Sequence, residues 1–363
     1  MSHVIALNSA VLPADGPKRD HIVEAHYRPD GYDAGYDFST FWYDAIWDGR
    51  DVVLTCPRLL NLAGLFKRGE LLLDALPAPR ARISTHRRHD IVRIKSPLQP
   101  ARVTLKAGDL ELSTPVSAVE AARFRGKNVH VAISKDNDLI WLTDFAHYHM
   151  TEHDLHAMTV IDIGSPAYAS EAAAEALLAT GLSEVVILPV PFAYGPFGLK
   201  PFSRRAKFLQ TALLNAVRMR YLGQARAVLN CDIDELVWCK SGSIFDLARK
   251  SLLGAVTFPG IWRFPVDGHE GFARHRDHLG LIDEVGICPP KSCIVPSSML
   301  GQRQWDVHGF EQPLLAKLAR THRAGYWHFR AISTNWKQFD RLSRRAAEPD
   351  PDTAAVMARV FPD

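Results

Sequence analysis

The stretch Ala227-Val228-Leu229-Asn230-Cys231-Asp232-Ile233-Asp234-Glu235-Leu236-Val237-Trp238 is an apolar, strand-like run interrupted by three carboxylates within four residues. Like charges this close repel each other and resist burial, so we expect positive charge among them. Alternate side chains of an extended chain point the same way, so Asp232 and Asp234 can present their oxygens together. Oxygen ligands suit Mg²⁺ or Mn²⁺, and such ions usually keep positions open for substrate phosphates. The stretch therefore predicts a metal site that serves a phosphate-bearing donor.

The composition is that of a folded globular protein with room for two domains, because 47% of its 363 residues are hydrophobic and 23% are charged. A formal net charge of +3 gives no support to nucleic acid as a partner. Five cysteines without a CxxC pair indicate reduced thiols and a cytoplasmic chain. We expect no signal peptide and no transmembrane segment, while peripheral contact with the inner face of a membrane stays open.

The first part of the chain, residues 1–127, reads as a small β-rich module. Short strand-like runs separated by turns lie at 51–56, 91–94, 101–105 and 110–112. The last two runs flank Lys106-Ala107-Gly108-Asp109, which has the composition of a hairpin turn.

From residue 128 the pattern changes to alternating strands and helices, which we assign to a second domain, 128–342, followed by a C-terminal tail, 343–363. We predict strands near 129–134, 158–163, 184–188 and 227–231, and helices ending near 150, over 169–180 and over 203–222. This alternation predicts an α/β fold with a doubly wound sheet and ligands at the carboxyl ends of its strands. Asp232 and Asp234 lie at such an end.

Several segments, in their order, resemble glycosyltransferases of the GT-A fold, in particular the family 2-like and family 92-like groups. The matching segments lie within about 128–340 and are 134–138 (SKDND), 141–149, 162–165 (DIGS), 232–235 (DIDE), 290–292 (PKS), 307–308 (VH) and 327–330 (WHFR). The chain departs from the pattern at Asp138, where a Glu is common, and at Phe329, which replaces a frequent Tyr. The resemblance implies a GT-A-type mixed sheet that carries the β-rich module at its N-terminus.

The resemblance also implies roles for particular residues. Asp234 would be a direct metal ligand, with Asp232 toward the ribose or a metal-bound water, and His328 a third metal or phosphate contact for which His308 competes. The donor would be a nucleotide sugar, most simply a UDP-sugar. The remaining contacts of that donor would come from Lys135, Asp136, Asp162, Lys291 and Arg330.

Each of these residues also has a purely structural interpretation. Asp162 suits an Asx turn as well as a nucleotide contact. His328 suits a satisfied core histidine, and Lys291 and Arg330 suit ordinary surface cations. An inverting enzyme further needs a carboxylate that accepts the proton of the acceptor hydroxyl. Asp267 and Glu270, which follow the predicted strand 257–264, are our candidates, with Asp283 and Glu284 behind them, whereas a retaining enzyme needs no such base.

Two other classes of protein fit the carboxylate cluster. Metal-dependent phosphoryl transferases and phosphatases also place Asp-x-Asp at a strand end, with the first Asp as nucleophile. Their nucleophile usually follows the first strand of the sheet, whereas three predicted strands precede Asp232. A non-catalytic carbohydrate-binding protein is the third possibility, and the intact carboxylates argue against it. We therefore expect a metal-dependent glycosyltransferase that acts on a glycan or another hydroxyl acceptor.

Overall fold

The computed structural model describes residues 3–266, 269, 271–282, 288–330, 332 and 347–362. Its strands, in chain order, are β1 (Ala10–Val11), β2 (Thr40–Trp42), β3 (Asp44–Trp47), β4 (Asp51–Pro57), β5 (Glu70–Leu73), β6 (Leu76–Pro77), β7 (Arg82–Thr85), β8 (His89–Lys95), β9 (Arg102–Ala107), β10 (Leu110–Pro115), β11 (Ser117–Ala118), β12 (Asn128–Ser134), β13 (Ala157–Asp162), β14 (Glu184–Pro189), β15 (Ala227–Asn230), β16 (Glu235–Cys239), β17 (Ala255–Arg263), β18 (Gly280–Leu281), β19 (Cys288–Ile294), β20 (Trp305–Asp306), β21 (Gly309–Phe310), β22 (Ala324–Phe329) and β23 (Glu348–Pro349).

The α-helices are α1 (Ala63–Arg68), α2 (Leu139–His153), α3 (Ser170–Ala179), α4 (Phe208–Arg220), α5 (Ile244–Lys250), α6 (Pro313–Leu318) and α7 (Pro351–Val360). Short 3₁₀ helices lie at Ala25–Tyr27, Tyr32–Gly35, Leu60–Leu62, Ala121–Phe124, Leu222–Gln224 and His275–Asp277. Within the described part of the chain, no helix combines the length and the apolar character needed to cross a bilayer.

The chain divides into two compact units, of which the N-terminal unit comprises Ala6–Ala122 and Val190–Gly223. It contains a five-stranded sheet in the order β11-β3-β4-β8-β7 and a four-stranded sheet in the order β10-β9-β5-β6. Apolar residues of both sheets, among them Leu54 and Leu105, pack in one core. The predicted hairpin turn at 106–109 is confirmed, since β9 and β10 pair antiparallel with Ala107 opposite Leu110.

The division differs from the predicted boundaries chiefly at Val190–Gly223, which groups with the N-terminal unit rather than with the second domain. In addition, Met1–Ile5 and the predicted C-terminal tail group with the second unit. The stretch Val190–Gly223 carries α4, which packs against β4 and β8. Arg220 of α4 lies 3.1 Å from Asp44 and 3.1 Å from Glu120, so two ion pairs fix the helix within the unit. The helix expected over 203–222 begins at Phe208, because the residues before it form consecutive turns.

The second unit, here the sheet unit, comprises Met1–Ile5, Arg123–Pro189 and Gln224–Asp363. Its eight-stranded sheet has the order β14-β13-β12-β15-β19-β17-β22-β16. The first four strands are parallel, whereas β19 and β16 run antiparallel to their neighbours. Apolar residues of α2, α3 and α5 pack with strand residues in one core. The predicted fold class, α/β with a mixed sheet and a β-rich N-terminal module, is confirmed.

The sheet curls, and the link between β15 and β16 shows why. Residues 231–234 join these two strands, although β19, β17 and β22 lie between them in the sheet. In a flat sheet, four steps of about 4.8 Å would separate them by about 19 Å. The link is too short for that separation, because it contains a turn in which the Glu235 N–H donates to the Asp232 carbonyl (3.2 Å). Residues 231–235, here called the acidic link, therefore cross the edge of a curled sheet and lie close to several strands.

Candidate metal and nucleotide site

The acidic link is held in a tight turn by its own groups. The Asp232 N–H donates to Glu235 Oε2 at 2.8 Å, which completes the turn closed by the Glu235 N–H. Asp234 and Glu235 are buried, with 6% and 1% of their surface exposed, whereas Asp232 is half-buried. Two carboxylates are thus held almost out of water, which requires partners of opposite charge or a bound cation.

Lys291 supplies the positive charge that the sequence led us to expect. It lies on β19 and is 2% exposed, and its Nζ is 2.8 Å from Asp232 Oδ2 and 3.0 Å from Glu235 Oε2. Burial alone would lower the pKa of Lys291, but the two carboxylates raise it above its usual value, so the ammonium stays charged. Burial raises the pKa of Glu235 to about 7, an effect that Lys291 partly offsets. The predicted contact of Lys291 with phosphate remains a prediction.

Asp234 lies beside β22. Nε2 of His328 is 3.2 Å from Asp234 Oδ2, and the N–H of Phe329 donates to the Asp234 carbonyl at 2.8 Å. The sheet register places Glu235 directly opposite His328. One ligand atom each of Asp234, Glu235 and His328 lies within 4.8 Å of the others.

The three residues fit a divalent metal ion. Two carboxylates and an imidazole are an ordinary donor set for a first-row divalent ion. Nδ1 of His328 is buried and has no hydrogen-bond partner within the described residues, so the ring is not explained as a satisfied core histidine. Of the predicted metal ligands Asp232, Asp234 and His328, the last two lie close together. The third residue of the observed group is Glu235 instead of Asp232. Asp232 instead pairs with Lys291.

An aromatic ring holds His328 in place. Trp262 of β17 lies opposite His328 in the register of β17 and β22, and the two rings stack at 3.9 Å with an angle of 14°. The guanidinium of Arg330 lies 5.4 Å from the Trp262 ring. This places the predicted phosphate contact Arg330 beside the cluster. His308, the competing histidine, lies with Nδ1 3.2 Å from the Pro290 carbonyl, next to Lys291 in the chain.

Asp162 lies at the same edge of the sheet. It ends β13 opposite Ser134 of β12, and β12 pairs with β15, so two strand spacings of about 4.8 Å separate its strand from β15. The Ser165 hydroxyl and N–H donate to Asp162 Oδ1 at 2.5 and 3.2 Å, which is the predicted Asx-type turn. Burial raises the pKa of this carboxyl.

Asp136 and Lys135 occupy the neighbouring loop, after β12. The backbone of Asp136 has φ 53°, and its N–H donates to Ser165 Oγ at 2.8 Å, so this loop is joined to the Asp162 turn. Lys135 precedes it and is half-buried. The predicted nucleotide residues of β12 and β13 therefore lie together, while Asp267, Glu270, Asp283 and Glu284 lie outside the described residues.

Four buried histidines, which the sequence analysis missed as a set, hold the backbone around the acidic link. His130 donates from Nε2 to the Cys231 carbonyl (3.0 Å), and His275 donates from Nε2 to the Ile233 carbonyl (2.9 Å). His149 accepts the Val237 N–H at Nε2 (3.3 Å), while His153 donates to the Val237 carbonyl (2.7 Å). The predicted helix ended near 150 and so left out His153, whereas α2 extends to His153 and places it on the same helix face as His149.

Burial lowers the pKa of His130, His149 and His153 and so favours their neutral forms, which predicts destabilisation in acid. Burial lowers the pKa of His130 to about 4 and that of His149 well below its usual value. A histidine whose pKa is lower in the folded than in the unfolded protein stabilises the fold fully above its unfolded-state pKa of about 6.5. This stabilisation is lost as the pH falls from about 6.5 toward the folded-state pKa. For His130 this loss amounts to about 3 kcal/mol of the free energy of unfolding between pH 6.5 and 4.

The measurement is urea unfolding from pH 7.5 to 4.5 for the wild type and for His130→Gln, whose amide can still donate to the Cys231 carbonyl. The raised pKa of Glu235 acts in the opposite direction and is common to both proteins, so their difference isolates His130. We expect the wild type to lose about 1.4 kcal/mol more per pH unit below pH 6. Equal slopes in the two proteins would contradict this prediction.

No protein-family model and no curated protein matches the chain. Among solved structures, the galactosyltransferase LgtC in complex with donor and acceptor sugar analogues is 21% identical over 50% of this chain and 60% of LgtC, with a TM-score of 0.28. The mannosyltransferase Ktr4p from S. cerevisiae in complex with GDP is 9% identical over 41% of this chain and 44% of Ktr4p, with a TM-score of 0.25. In each of these two alignments the chain spans less than two thirds of the matched protein. TM-scores this low support no conclusion about its activity.

Proposed function

We propose that the protein is a metal-dependent glycosyltransferase that moves a sugar from a nucleotide-sugar donor to a hydroxyl group of a glycan or another acceptor. The observation that carries the proposal is the cluster of Asp234, Glu235 and His328 on the edge of a curled α/β sheet. Asp162 lies on the same edge, where such sheets bind their ligands. A structural role alone does not explain two buried carboxylates grouped with His328, whose Nε2 is 3.2 Å from Asp234 while its buried Nδ1 has no hydrogen-bond partner within the described residues.

Sugar transfer from a nucleoside diphosphate requires that negative charge on the leaving group be stabilised. A divalent ion held by Asp234, Glu235 and His328 would supply this stabilisation as a Lewis acid. Lys291 holds Asp232 and Glu235 in place, since its ammonium contacts both, and its charge favours the ionised form of Glu235. Asp162 could accept hydrogen bonds from the ribose or base, and Arg330 adds positive charge beside Trp262.

The donor set favours Mn²⁺ over Mg²⁺. An imidazole nitrogen suits the softer transition metals, whereas Mg²⁺ prefers oxygen ligands alone. His328→Ala should therefore weaken Mn²⁺ binding at least about tenfold and affect Mg²⁺ binding less. The protein is titrated with each metal, and binding is monitored by electron paramagnetic resonance for Mn²⁺ and by calorimetry for both ions. His322→Ala, at an exposed histidine six residues earlier, is the control and should leave both affinities unchanged.

A thermal-shift screen of UDP-, GDP- and CDP-compounds with and without Mn²⁺ tests the function itself. A ligand that binds only the folded chain raises its melting temperature, and at 100 times the dissociation constant it adds about 2.7 kcal/mol. We expect one nucleotide, most simply UDP, to produce a shift that requires Mn²⁺, and its sugar conjugate to be turned over. Nucleotide binding that does not depend on Mn²⁺, with no turnover of the nucleotide sugar, would indicate a non-catalytic binding protein. Release of phosphate from small phosphoesters would indicate a phosphoryl transferase.

A further inference from the structure

An exposed loop of the N-terminal unit carries three large apolar side chains within six residues. In the segment from Phe197 to Arg205, here the apolar-basic loop, Phe197, Leu199 and Phe202 are 40%, 49% and 38% exposed. Single exposed apolar residues are ordinary on a protein surface, but clusters of them often mark interaction sites. This cluster therefore indicates an interaction surface.

The loop presents these side chains in a fixed arrangement. The Gly198 N–H donates to the Ser203 carbonyl (3.1 Å), and the Phe202 N–H donates to the Leu199 carbonyl (2.9 Å). At its base, the ammonium of Lys207 lies 3.7 Å from the centre of the Phe197 ring. The apolar surface is thus built into the loop and does not result from an unstructured segment.

A second segment of the same unit supports the loop. The Leu199 N–H donates to the Tyr27 carbonyl (2.8 Å), and the Tyr27 and Phe202 rings meet edge to face at 4.9 Å. Two of the three acidic side chains between Glu24 and Asp33 have partners: Asp33 lies 2.7 Å from His21 and 3.9 Å from Arg28, and Glu24 lies 3.6 Å from His26, while Asp30 is exposed. Their negative charge is therefore partly balanced within that segment.

Positive charge surrounds the apolar side chains. The sequence contains no Asp or Glu between Glu184 and Asp232, while Lys200, Arg204 and Arg205 lie in the apolar-basic loop and are exposed. The small net charge of the whole chain thus conceals a local excess of cations. Aromatic and leucine side chains flanked by Lys and Arg match the boundary between acyl chains and anionic headgroups.

We propose that the apolar-basic loop docks the protein peripherally on an anionic lipid bilayer. Phe197, Leu199 and Phe202 enter the headgroup region, and Lys200 and Arg205 bind lipid phosphates. The proposal does not depend on the proposed catalytic function, because the loop and the acidic link belong to different units.

The test is co-sedimentation of the full chain with vesicles of phosphatidylcholine alone or with 30% phosphatidylglycerol. We expect at least about tenfold stronger partitioning onto the anionic vesicles, weakened at high salt because headgroup attraction is screened. Charge reversal by Lys200→Glu with Arg205→Glu should lower the partition coefficient at least about tenfold. Replacing Phe197, Leu199 and Phe202 together with Ser should do the same.

The control replaces three leucines of the sheet unit that are more exposed than the loop side chains, Leu252, Leu314 and Leu318, with Ser and should bind like the wild type. Melting temperatures and size-exclusion chromatography with light scattering accompany each variant. Equal binding to both vesicle types, or wild-type binding by the charge-reversed variant, would overturn the proposal. A dimer that the apolar variant converts to a monomer, without vesicle binding by the wild type, would overturn it in favour of self-association.

Discussion

Asp234→Asn is expected to weaken Mn²⁺ binding and sugar transfer by at least about 100-fold while the protein stays folded. Loss of a charged metal ligand removes several kcal/mol of stabilisation of the leaving group, and each 1.36 kcal/mol is about tenfold in rate. The amide is nearly the same size as the carboxylate, and its oxygen can still accept from His328, which lies 3.2 Å from Oδ2 in the wild type. Removing a buried negative charge should not by itself unfold the chain.

The measurements are Mn²⁺ affinity by electron paramagnetic resonance, donor turnover, and the free energy of unfolding in urea. Asp138→Asn is the matched control, because Asp138 is an exposed N-cap of α2 whose side chain accepts from the Ile140 N–H, and Asn caps helices equally well. Wild-type Mn²⁺ affinity and turnover in the Asp234 variant would refute the assigned site. Loss of turnover with unchanged Mn²⁺ affinity would refute Asp234 as a metal ligand.

Lys291→Met should cost about 3–5 kcal/mol of the free energy of unfolding, which is the usual cost of removing one member of a buried ion pair. The substitution leaves Asp232 and Glu235 facing each other without the ammonium that now lies 2.8 and 3.0 Å from their oxygens. Methionine fills a similar volume, so the cost is electrostatic rather than a cavity. Urea unfolding at constant salt measures it.

The pH dependence separates this electrostatic cost from ordinary packing loss. Without Lys291, the pKa of Glu235 should rise further above its present value of about 7, so protonation relieves the repulsion. The destabilisation by Lys291→Met should thus be smaller at pH 6 than at pH 8. Adding Glu235→Gln should restore part of the stability. A loss that is below about 1 kcal/mol, or independent of pH and of Glu235, would contradict the counterion role.

Much of the local structure followed from residue patterns. The apolar strand run before Asp232 is β15, and the predicted strands at 129–134 and 184–188 and the helix at 169–180 lie within one or two residues of β12, β14 and α3. These elements depend on near neighbours in the chain, since periodicity and turn residues act over a few positions. The prediction of a metal cluster also rested on residues adjacent in the sequence. Three carboxylates within four residues need nearby positive charge wherever this stretch lies in the fold.

The assignment of Val190–Gly223 to a unit was not accessible in this way. Its helical spacing predicted α4, but an amphipathic helix does not reveal which surface covers its apolar face. The contact of α4 with β4 and β8, and the pairing of Arg220 with Asp44, join residues more than 100 positions apart. Such pairings depend on the topology of the whole chain.

By itself, the sequence determined that a strand ends in an acidic link and that this link needs positive charge. Only the tertiary structure decided which groups supply that charge and which carboxylates lie beside His328. The physical reason is the curl of the sheet, which brings Lys291 of β19 and His328 of β22 against one short link. Asp232 consequently turns to the lysine, and Glu235 joins Asp234 beside the histidine. Residues so far apart in the chain have no local signal, because their proximity exists only once eight strands have paired.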